Sequence, residues 1–106
     1  MSKNILADLE ETIIARKGAA ADESYTATLL AKGIKKSTQK FGEEAFEFAI
    51  AASAEDDAAL TSEAADVLYH MLVVLAARGV PFQDVLDALQ KRRSQSGHAE
   101  KASRKK

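Results

Sequence analysis

The longest helical pattern in the chain covers residues 34–53, which have the sequence IKKSTQKFGEEAFEFAIAAS. Its apolar side chains recur at the three- and four-residue spacing of an α-helix. They form one stripe of Phe41, Ala45, Phe48 and Ala52, and a second patch of Phe46 and Ile50. Between them lies a charged stripe of Lys36, Lys40, Glu43, Glu44 and Glu47. The segment therefore predicts a helix whose acids are bounded by apolar residues on both sides.

A second long helix is predicted to follow, beginning after Asp56 or Asp57 and ending at Arg78. Its core stripe consists of Leu60, Ala64, Val67, Met71 and Leu75. A polar stripe of Glu63, Asp66 and His70 continues into Val73, Val74 and Ala77. Because a solvated face does not normally end in two valines, we expect the acids of both helices to be half-buried.

The rest of the chain is also predicted to be helical, since it is rich in alanine, has one proline and shows almost no strand-like alternation. We expect helices over 3–17 and 25–32, stopped by Gly18 and Gly33, and a last helix from Pro81 to Arg93. Short connections between long amphipathic helices predict an all-α antiparallel helix bundle. Residues 1–95 would form this domain and residues 96–106 a basic C-terminal tail.

Composition excludes several classes of protein. A chain of 106 residues is one domain with a modest core, which oligomerisation would enlarge. Its 15 basic residues against 16 acidic ones argue against a general nucleic-acid binder. There is no cysteine, hence no disulfide or thiolate chemistry. The N-terminus lacks a hydrophobic leader segment, and we expect no run of membrane-spanning length, so a cytoplasmic location is predicted.

The acids have the spacing of a magnesium site. Glu44 with Glu47, and Glu63 with Asp66, are three residues apart and share a helix face. Mg²⁺ prefers such oxygen ligands and leaves room for substrate phosphates. The alternative is a solvated acidic surface, which is common on helices. Gly42, beside these acids, would be explained by close helix packing or by room for a ligand.

The pattern Glu43-Glu44-x-x-Glu47, a spacer, then Glu63-x-x-Asp66 resembles the signature of the all-α, MazG-like nucleotide pyrophosphohydrolases. Within that group, the flanking segments are similar to those of the phosphoribosyl-ATP pyrophosphohydrolase family. These segments are residues 24–33 (SYTATLLAKG), Lys36 with residues 40–45 (KFGEEA), residues 65–70 (ADVLYH) and residues 96–104 (SGHAEKASR). The similarity covers nearly the whole chain.

The resemblance implies Mg²⁺-dependent hydrolysis of phosphoribosyl-ATP to phosphoribosyl-AMP and pyrophosphate, in histidine biosynthesis. It implies that four acids bind the metal: Glu44, Glu47, Glu63 and Asp66. Glu43 would hold a second ion or orient the attacking water. The expected substrate-binding residues are Lys32, Lys36, Lys40, His70, Lys101 and Arg104. The phosphoribosyl-AMP cyclohydrolase, fused to this domain in some relatives, is expected to be a separate protein here.

Several of these roles have alternatives. Lys40 would equally pair with Glu43 or Glu44 along its own helix. His70 would contact substrate or be an interior histidine whose hydrogen bonds are satisfied, and Tyr25 belongs more naturally to a core or an interface than to a base-stacking site. The tail is either a solvated end or closes over the 5′-phosphate.

Apolar stripes on more than one side of the long helices, together with the resemblance, predict a homodimer. Two other functions are compatible with the acids. One is a broader MazG-type nucleoside triphosphate pyrophosphohydrolase, which would lack a use for the tail segment. The other is a helical interaction module whose acids form a solvated face.

Overall fold

A computed structural model describes residues 4–20 and 24–94 of the chain. These ranges contain five helices and no strand, which confirms the all-α prediction. The helices are α1 (Ile5–Arg16), α2 (Tyr25–Ala31), α3 (Ile34–Ala54), α4 (Asp57–Arg78) and α5 (Phe82–Arg93).

Side-chain caps fix where three of the helices begin. Ser24 Oγ accepts a hydrogen bond from the Ala27 amide at 3.0 Å, and Asp56 Oδ1 accepts one from Ala59 at 2.9 Å. Asn4 caps α1 in the same way, so this helix begins at Ile5 and the predicted start at residue 3 is wrong. The last helix begins at Phe82 and not at Pro81, because Pro81 has an extended backbone.

Gly33 and Gly79 separate consecutive helices, whereas Gly42 does not have its expected role in close helix packing. Gly79 closes α4 in the left-handed conformation (φ +71°), and Gly33 joins α2 to α3 at φ +92° and ψ 176°. Only glycine adopts the latter conformation readily. Gly42 lies within α3, and a Cβ built there meets no atom within 4 Å. Close helix packing is therefore not the reason for this glycine within the described part of the chain.

The buried core lies at one end of the molecule. The two-residue connection between α3 and α4 makes them an antiparallel hairpin, and α1 and α2 pack against the C-terminal half of α4. The buried apolar side chains form one cluster of Ile13, Leu29, Leu72, Val73, Ala76 and Phe82. The expected core stripe of α4 is only half-buried. The predicted stripe is not the most buried face of α4, because α1 and α2 pack over Leu72, Val73 and Ala76 instead.

The other end of the α3–α4 hairpin leaves apolar side chains uncovered. Phe46 is 68% exposed, and Phe48, Ile50 and Leu68 are also exposed. A cleft of about 140 Å³ between the two helices is lined by Phe41, Met71, Val74 and Leu75. Large apolar surfaces of this kind are unusual on a monomer.

α1 ties α4 to α5 through two polar contacts across the Gly79–Pro81 turn. Lys17 Nζ donates to the Ala76 carbonyl at 2.8 Å, at the C-terminal end of α4. The Phe82 amide donates to Glu10 Oε2 at 2.7 Å, at the start of α5. Each charge has the sign that its helix end favours.

The prediction that the chain contains no run of membrane-spanning length was wrong for α4. This helix is long and apolar enough, by length and composition, to cross a membrane. In the described structure its most apolar part, around Leu72, Val73 and Ala76, is buried against other helices. The same composition is typical of the central helix of a small bundle.

Candidate metal and substrate site

Three carboxylates from the two long helices meet near the middle of the hairpin. Oxygen atoms of Glu44, Glu63 and Asp66 all lie within 4.8 Å of one another. Glu44 and Glu63 are half-buried, whereas Asp66 is exposed. We call these residues the acidic triad. The antiparallel hairpin creates this arrangement, because it places the middle of α3 opposite the first half of α4.

Glu63 is the member of the acidic triad that is least well satisfied. Its Oε1 atom is buried and has no hydrogen-bond partner. Burial raises the pKa of Glu63, and the negative charges of Glu47, Asp66 and Glu44 raise it further. Without a cation, this carboxylate is therefore held in an environment that disfavours its charged form.

Glu47 lies outside the acidic triad. Its side chain is exposed, contrary to the expectation that all the acids are half-buried, but it is close enough for its charge to raise the pKa of Glu63. The helical spacing correctly places Glu47 on the face of Glu44. It does not fix the direction of a long side chain at the rim of the site.

Lys40 pairs with acids of its own helix. Its Nζ lies 3.3 Å from Glu43 and 3.9 Å from Glu44. The hydrogen bond to Glu43 is the main cause of the raised pKa of Lys40, and Tyr25 adds to it. Glu43 also accepts a hydrogen bond from Gln39 at 3.1 Å, and this bond, followed by Lys40, lowers the pKa of Glu43. A lowered pKa makes Glu43 a weak base.

The other residues expected to bind substrate differ in their exposure. Lys36 is half-buried on α3, and its charge contributes to lowering the pKa of Glu43. Lys32 is exposed at the end of α2, where its amide closes the last turn of that helix. Lys101 and Arg104, with the whole tail, lie outside the described residues.

His70 is buried beside the acidic triad, but it is not a satisfied interior histidine. Its side chain is 5% exposed, and Nδ1 is buried with no hydrogen-bond partner. Burial lowers the pKa of His70 so that the neutral ring is favoured; Glu44 and Asp66 oppose this effect and Lys40 adds to it. These interactions show that the imidazole lies within electrostatic range of both the acids and the lysine.

An aromatic cluster next to His70 was missed as a site. Tyr25 is 53% exposed, so it is not a core residue of the single chain, and its predicted alternative place in an interface stays a prediction. Tyr69 is half-buried, and its hydroxyl shares a 2.5 Å hydrogen bond with Thr26. The rings of Tyr25, Tyr69 and His70 contact one another. Helical periodicity gives no signal for this cluster, because Tyr69 and His70 are neighbours in sequence and Tyr25 comes from another helix.

The chemistry of the acidic triad fits a hard divalent cation. Its donors are all carboxylate oxygens, which suit Mg²⁺ and do not suit soft metals. The unpartnered oxygen of Glu63 is explained if a cation binds there, because a buried anion requires a counter-charge. Three protein ligands would leave other positions of an octahedral ion open for phosphate oxygens and water.

Comparison with known proteins gives a consistent result along the chain. Residues 6–93 match the model of the family described as phosphoribosyl-ATP pyrophosphohydrolase. The phosphoribosyl-ATP pyrophosphatase of Dinoroseobacter shibae is 60% identical over 95% of this chain and 99% of its own length. That of Ruegeria pomeroyi is 60% identical over 97% and 98%. That of Methylobacterium nodulans is 52% identical over 100% and 99%.

Proposed function

The chain belongs to the phosphoribosyl-ATP pyrophosphohydrolase family, and we propose that it hydrolyses phosphoribosyl-ATP to phosphoribosyl-AMP and pyrophosphate. This reaction would be its step in histidine biosynthesis, the second of that pathway. The observation that supports the proposal most directly is the acidic triad, with its unpartnered Glu63 oxygen, in a chain similar to these enzymes over its full length.

Mg²⁺ is the metal that we propose for this site. Glu44, Glu63 and Asp66 would hold it directly, and Glu47 would join them by turning its exposed side chain inward. When bound, the ion would supply charge neutralisation on the phosphoanhydride and a more acidic water. The carboxylates themselves provide the anchoring and the orientation of that charge.

Two lysines would position the substrate phosphates. Lys36 and Lys40 lie on the same helix as Glu44, about two turns and about one turn before it. Lys40 would exchange its contact with Glu44 for a phosphate oxygen as a point charge, since its longer 3.9 Å pair is weak. Glu43 would hold Lys40 in place and orient water, because its lowered pKa suits it poorly to the role of general base.

The basic tail would complete the substrate site. We propose that residues 1–95 contain the catalytic domain and that residues 96–106 supply Lys101 and Arg104 to the 5′-phosphate of the extra ribose. Lys32, exposed at the α2–α3 junction, would contact the same substrate at the rim. These assignments rest on the resemblance of the motif, on charge and on the family membership of the chain.

A homodimer would cover the apolar surface of the hairpin. Phe46, Phe48 and Ile50 are exposed on α3, and the cleft beside Phe41 and Met71 is apolar. Burying such surface stabilises an assembly by about 25 cal/mol per Å² of apolar area. A second copy of the same hairpin offers a matching apolar face under two-fold symmetry.

The alternative is a broader MazG-type nucleoside triphosphate pyrophosphohydrolase with the same metal site. A pyrophosphate-release assay with phosphoribosyl-ATP, ATP and dUTP distinguishes the two. We expect phosphoribosyl-ATP to have a much higher kcat/KM than the other two. Equal rates on the three substrates would favour the broader enzyme, and no release from any of them would refute both. A cytoplasmic location accords with either.

A further inference from the structure

We propose that Tyr25, Tyr69 and His70, the aromatic cluster, form the subsite that holds the purine base of the substrate beside the acidic triad. This inference rests on the proposed function and extends it to the residues that recognise the base. A nucleotide titration together with a pyrophosphate-release assay distinguishes a wrong base subsite from a wrong function.

The aromatic cluster lies about one helical turn from the acids. His70 follows Asp66 by four residues on α4, which places it one turn away, about 6 Å along the helix axis. Tyr25 lies in the first turn of α2 and interacts electrostatically with Lys40. A nucleotide has a comparable offset between its base and its α-phosphate, so a base at the cluster would leave the phosphates near Lys40 and the acids.

The rings of the aromatic cluster leave one flat surface open. Tyr69 and His70 meet edge to face with ring centroids 4.9 Å apart and an interplanar angle of 78°. Tyr25 lies at 6.3 Å from Tyr69, with the two rings inclined by 23°. The Tyr69 hydroxyl is held by Thr26, so this ring is fixed. Tyr25 keeps half of its surface open, which is the surface on which a flat base can stack.

His70 has a buried nitrogen, Nδ1, that lacks a hydrogen-bond partner. A buried polar atom without a partner is rare and costly, and it calls for a specific explanation. The hydroxyl of the neighbouring half-buried Tyr69 has a partner in Thr26, so the region does not lack hydrogen-bond partners in general. A neutral imidazole offers one donor and one acceptor, as does the edge of a purine. Because the exposed Tyr25 ring meets His70 edge to face, with centroids 6.1 Å apart, a displacement of that ring would open a path for the purine edge to His70.

Two alternatives predict different results. The cluster would be purely structural if its only role were to pack α2 against α4. It would be a subunit contact if the open face of Tyr25 were covered by a second copy of the chain. If the rings recognise the base, substitutions in the cluster change substrate affinity. If the cluster only packs α2 against α4, or forms a subunit contact, they change unfolding or the oligomeric state instead.

The chain offers a simple spectroscopic test, because it has two tyrosines and no tryptophan. Both tyrosines belong to the cluster, so every tyrosine ring signal in an NMR spectrum reports on it. We would titrate the Mg²⁺-loaded protein with AMP, UMP and ribose 5-phosphate at millimolar concentration. AMP is expected to shift the Tyr25 ring protons through its ring current, UMP to shift them less, and ribose 5-phosphate to leave them unchanged.

Two substitutions then measure the contribution to substrate binding. Tyr25→Leu should lower kcat/KM for phosphoribosyl-ATP by roughly tenfold, because stacking of a base on an aromatic ring is worth about that or more. Tyr25→Phe restores the ring and should restore most of the loss. His70→Phe keeps the ring contacts and removes the buried nitrogen. It should lower kcat/KM as well, while the melting temperature stays the same or rises.

Ile5→Ala is the control, since Ile5 is an exposed apolar residue on α1, remote from the cluster. The inference is overturned if the wild type hydrolyses phosphoribosyl-ATP while AMP shifts neither tyrosine and Tyr25→Leu keeps normal kinetics. It is also overturned if Tyr25→Leu changes only the oligomeric state, or His70→Phe only the stability. If AMP shifts Tyr25 but the wild type releases no pyrophosphate from phosphoribosyl-ATP, the proposed function fails and the base subsite stands.

Discussion

Glu63 combines burial, repulsion and a missing partner more clearly than any other described carboxylate. Its Oε1 atom is buried without a hydrogen bond, and the charges of Glu47, Asp66 and Glu44 surround it. Such a group is unfavourable for folding and suitable for binding a cation. In the proposed site, stability would therefore be given up at the position where metal affinity is gained.

Neutral isosteres at the acids should separate stability from activity. Glu63→Gln, Glu47→Gln and Asp66→Asn each remove a proposed Mg²⁺ ligand, so we expect pyrophosphate release to fall at least a hundredfold. The metal-free variants should be as stable as the wild type or slightly more stable, because like charges are removed. Added Mg²⁺ should raise the melting temperature of the wild type and raise that of the variants much less.

The comparison requires a carboxylate outside the site, and Asp87→Asn on α5 provides one. A Glu47→Gln or Asp66→Asn enzyme with wild-type turnover would remove that residue from the metal site. A wild type whose melting temperature ignored millimolar Mg²⁺ would indicate that the metal arrives only with the substrate.

The raised pKa of Glu63 also predicts how stability depends on pH. The folded protein binds the Glu63 proton more tightly than the unfolded chain does. Its contribution is therefore fully present below the ordinary glutamate pKa, about 4.3, and is lost as the pH rises through the raised pKa. In metal-free buffer, the stability advantage of Glu63→Gln over the wild type should grow across that range. Urea unfolding at several pH values measures it, and parallel profiles would contradict the shift.

The two glycines that flank the first half of α3 should respond in opposite ways to alanine. Gly33→Ala should destabilise the fold by about 1–3 kcal/mol, because φ +92° with ψ 176° is strained for any other residue. Gly42→Ala should stabilise it by up to about 1 kcal/mol, since Gly42 is helical and its Cβ would meet nothing within 4 Å. Thermal or urea unfolding would measure both.

The activity of Gly42→Ala tests the remaining explanation for that glycine. If the added methyl group lowers pyrophosphate release while the protein becomes more stable, the space beside Glu43 and Glu44 is used by a ligand. Unchanged activity would leave Gly42 without a role in the site.

The hydrogen bonds from α1 to the ends of α4 and α5 should contribute about as much to the free energy of unfolding as a side-chain cap does. Pro81 makes no side-chain cap for α5, and Glu10 accepts the Phe82 amide in its place. Glu10→Ala should therefore cost about 1–2 kcal/mol of unfolding free energy, in the range of a lost N-cap. Lys17→Met, which keeps the apolar stem, should cost a similar amount through the lost bond to the Ala76 carbonyl. Glu11→Ala, on the exposed side of α1, is the control, and equal effects from Glu10 and Glu11 would refute the capping role.

The described part of the chain leaves large apolar side chains exposed, which leads to a prediction about assembly. We expect light scattering at micromolar concentration to give the mass of a homodimer. Phe46→Glu should shift it toward monomer, because burying an unpaired charge in an apolar interface is costly. Ile5→Glu, at an equally exposed residue on α1, should leave the mass unchanged. A wild type of monomer mass would refute the dimer.

Removal of residues 97–106 should affect substrate use and not the fold. The tail is polar and follows the last amphipathic helix, so helicity and the melting temperature are expected to remain. The KM for phosphoribosyl-ATP should rise because Lys101 and Arg104 are lost, while the KM for ATP changes little. An unchanged KM for phosphoribosyl-ATP in the truncated enzyme would leave the tail as a solvated end.

Local sequence was sufficient to predict the helices. The apolar period, the caps at Ser24 and Asp56, and the stops at Gly33 and Gly79 gave their number and nearly all their limits, because these signals act within one or two turns. The spacing of Glu44, Glu63 and Asp66 also indicated the acidic face, since helix geometry fixes which residues share a side.

The position of the core and the surroundings of individual site residues were decided only by tertiary packing. This packing placed the core around Val73 and Ala76, left Tyr25 exposed, and buried His70 without a partner. It also joined Glu10 and Lys17 to helix ends about sixty or seventy residues away in sequence. No local pattern encodes these features, because they depend on which faces of separate helices meet and on the direction that each long side chain takes once they do.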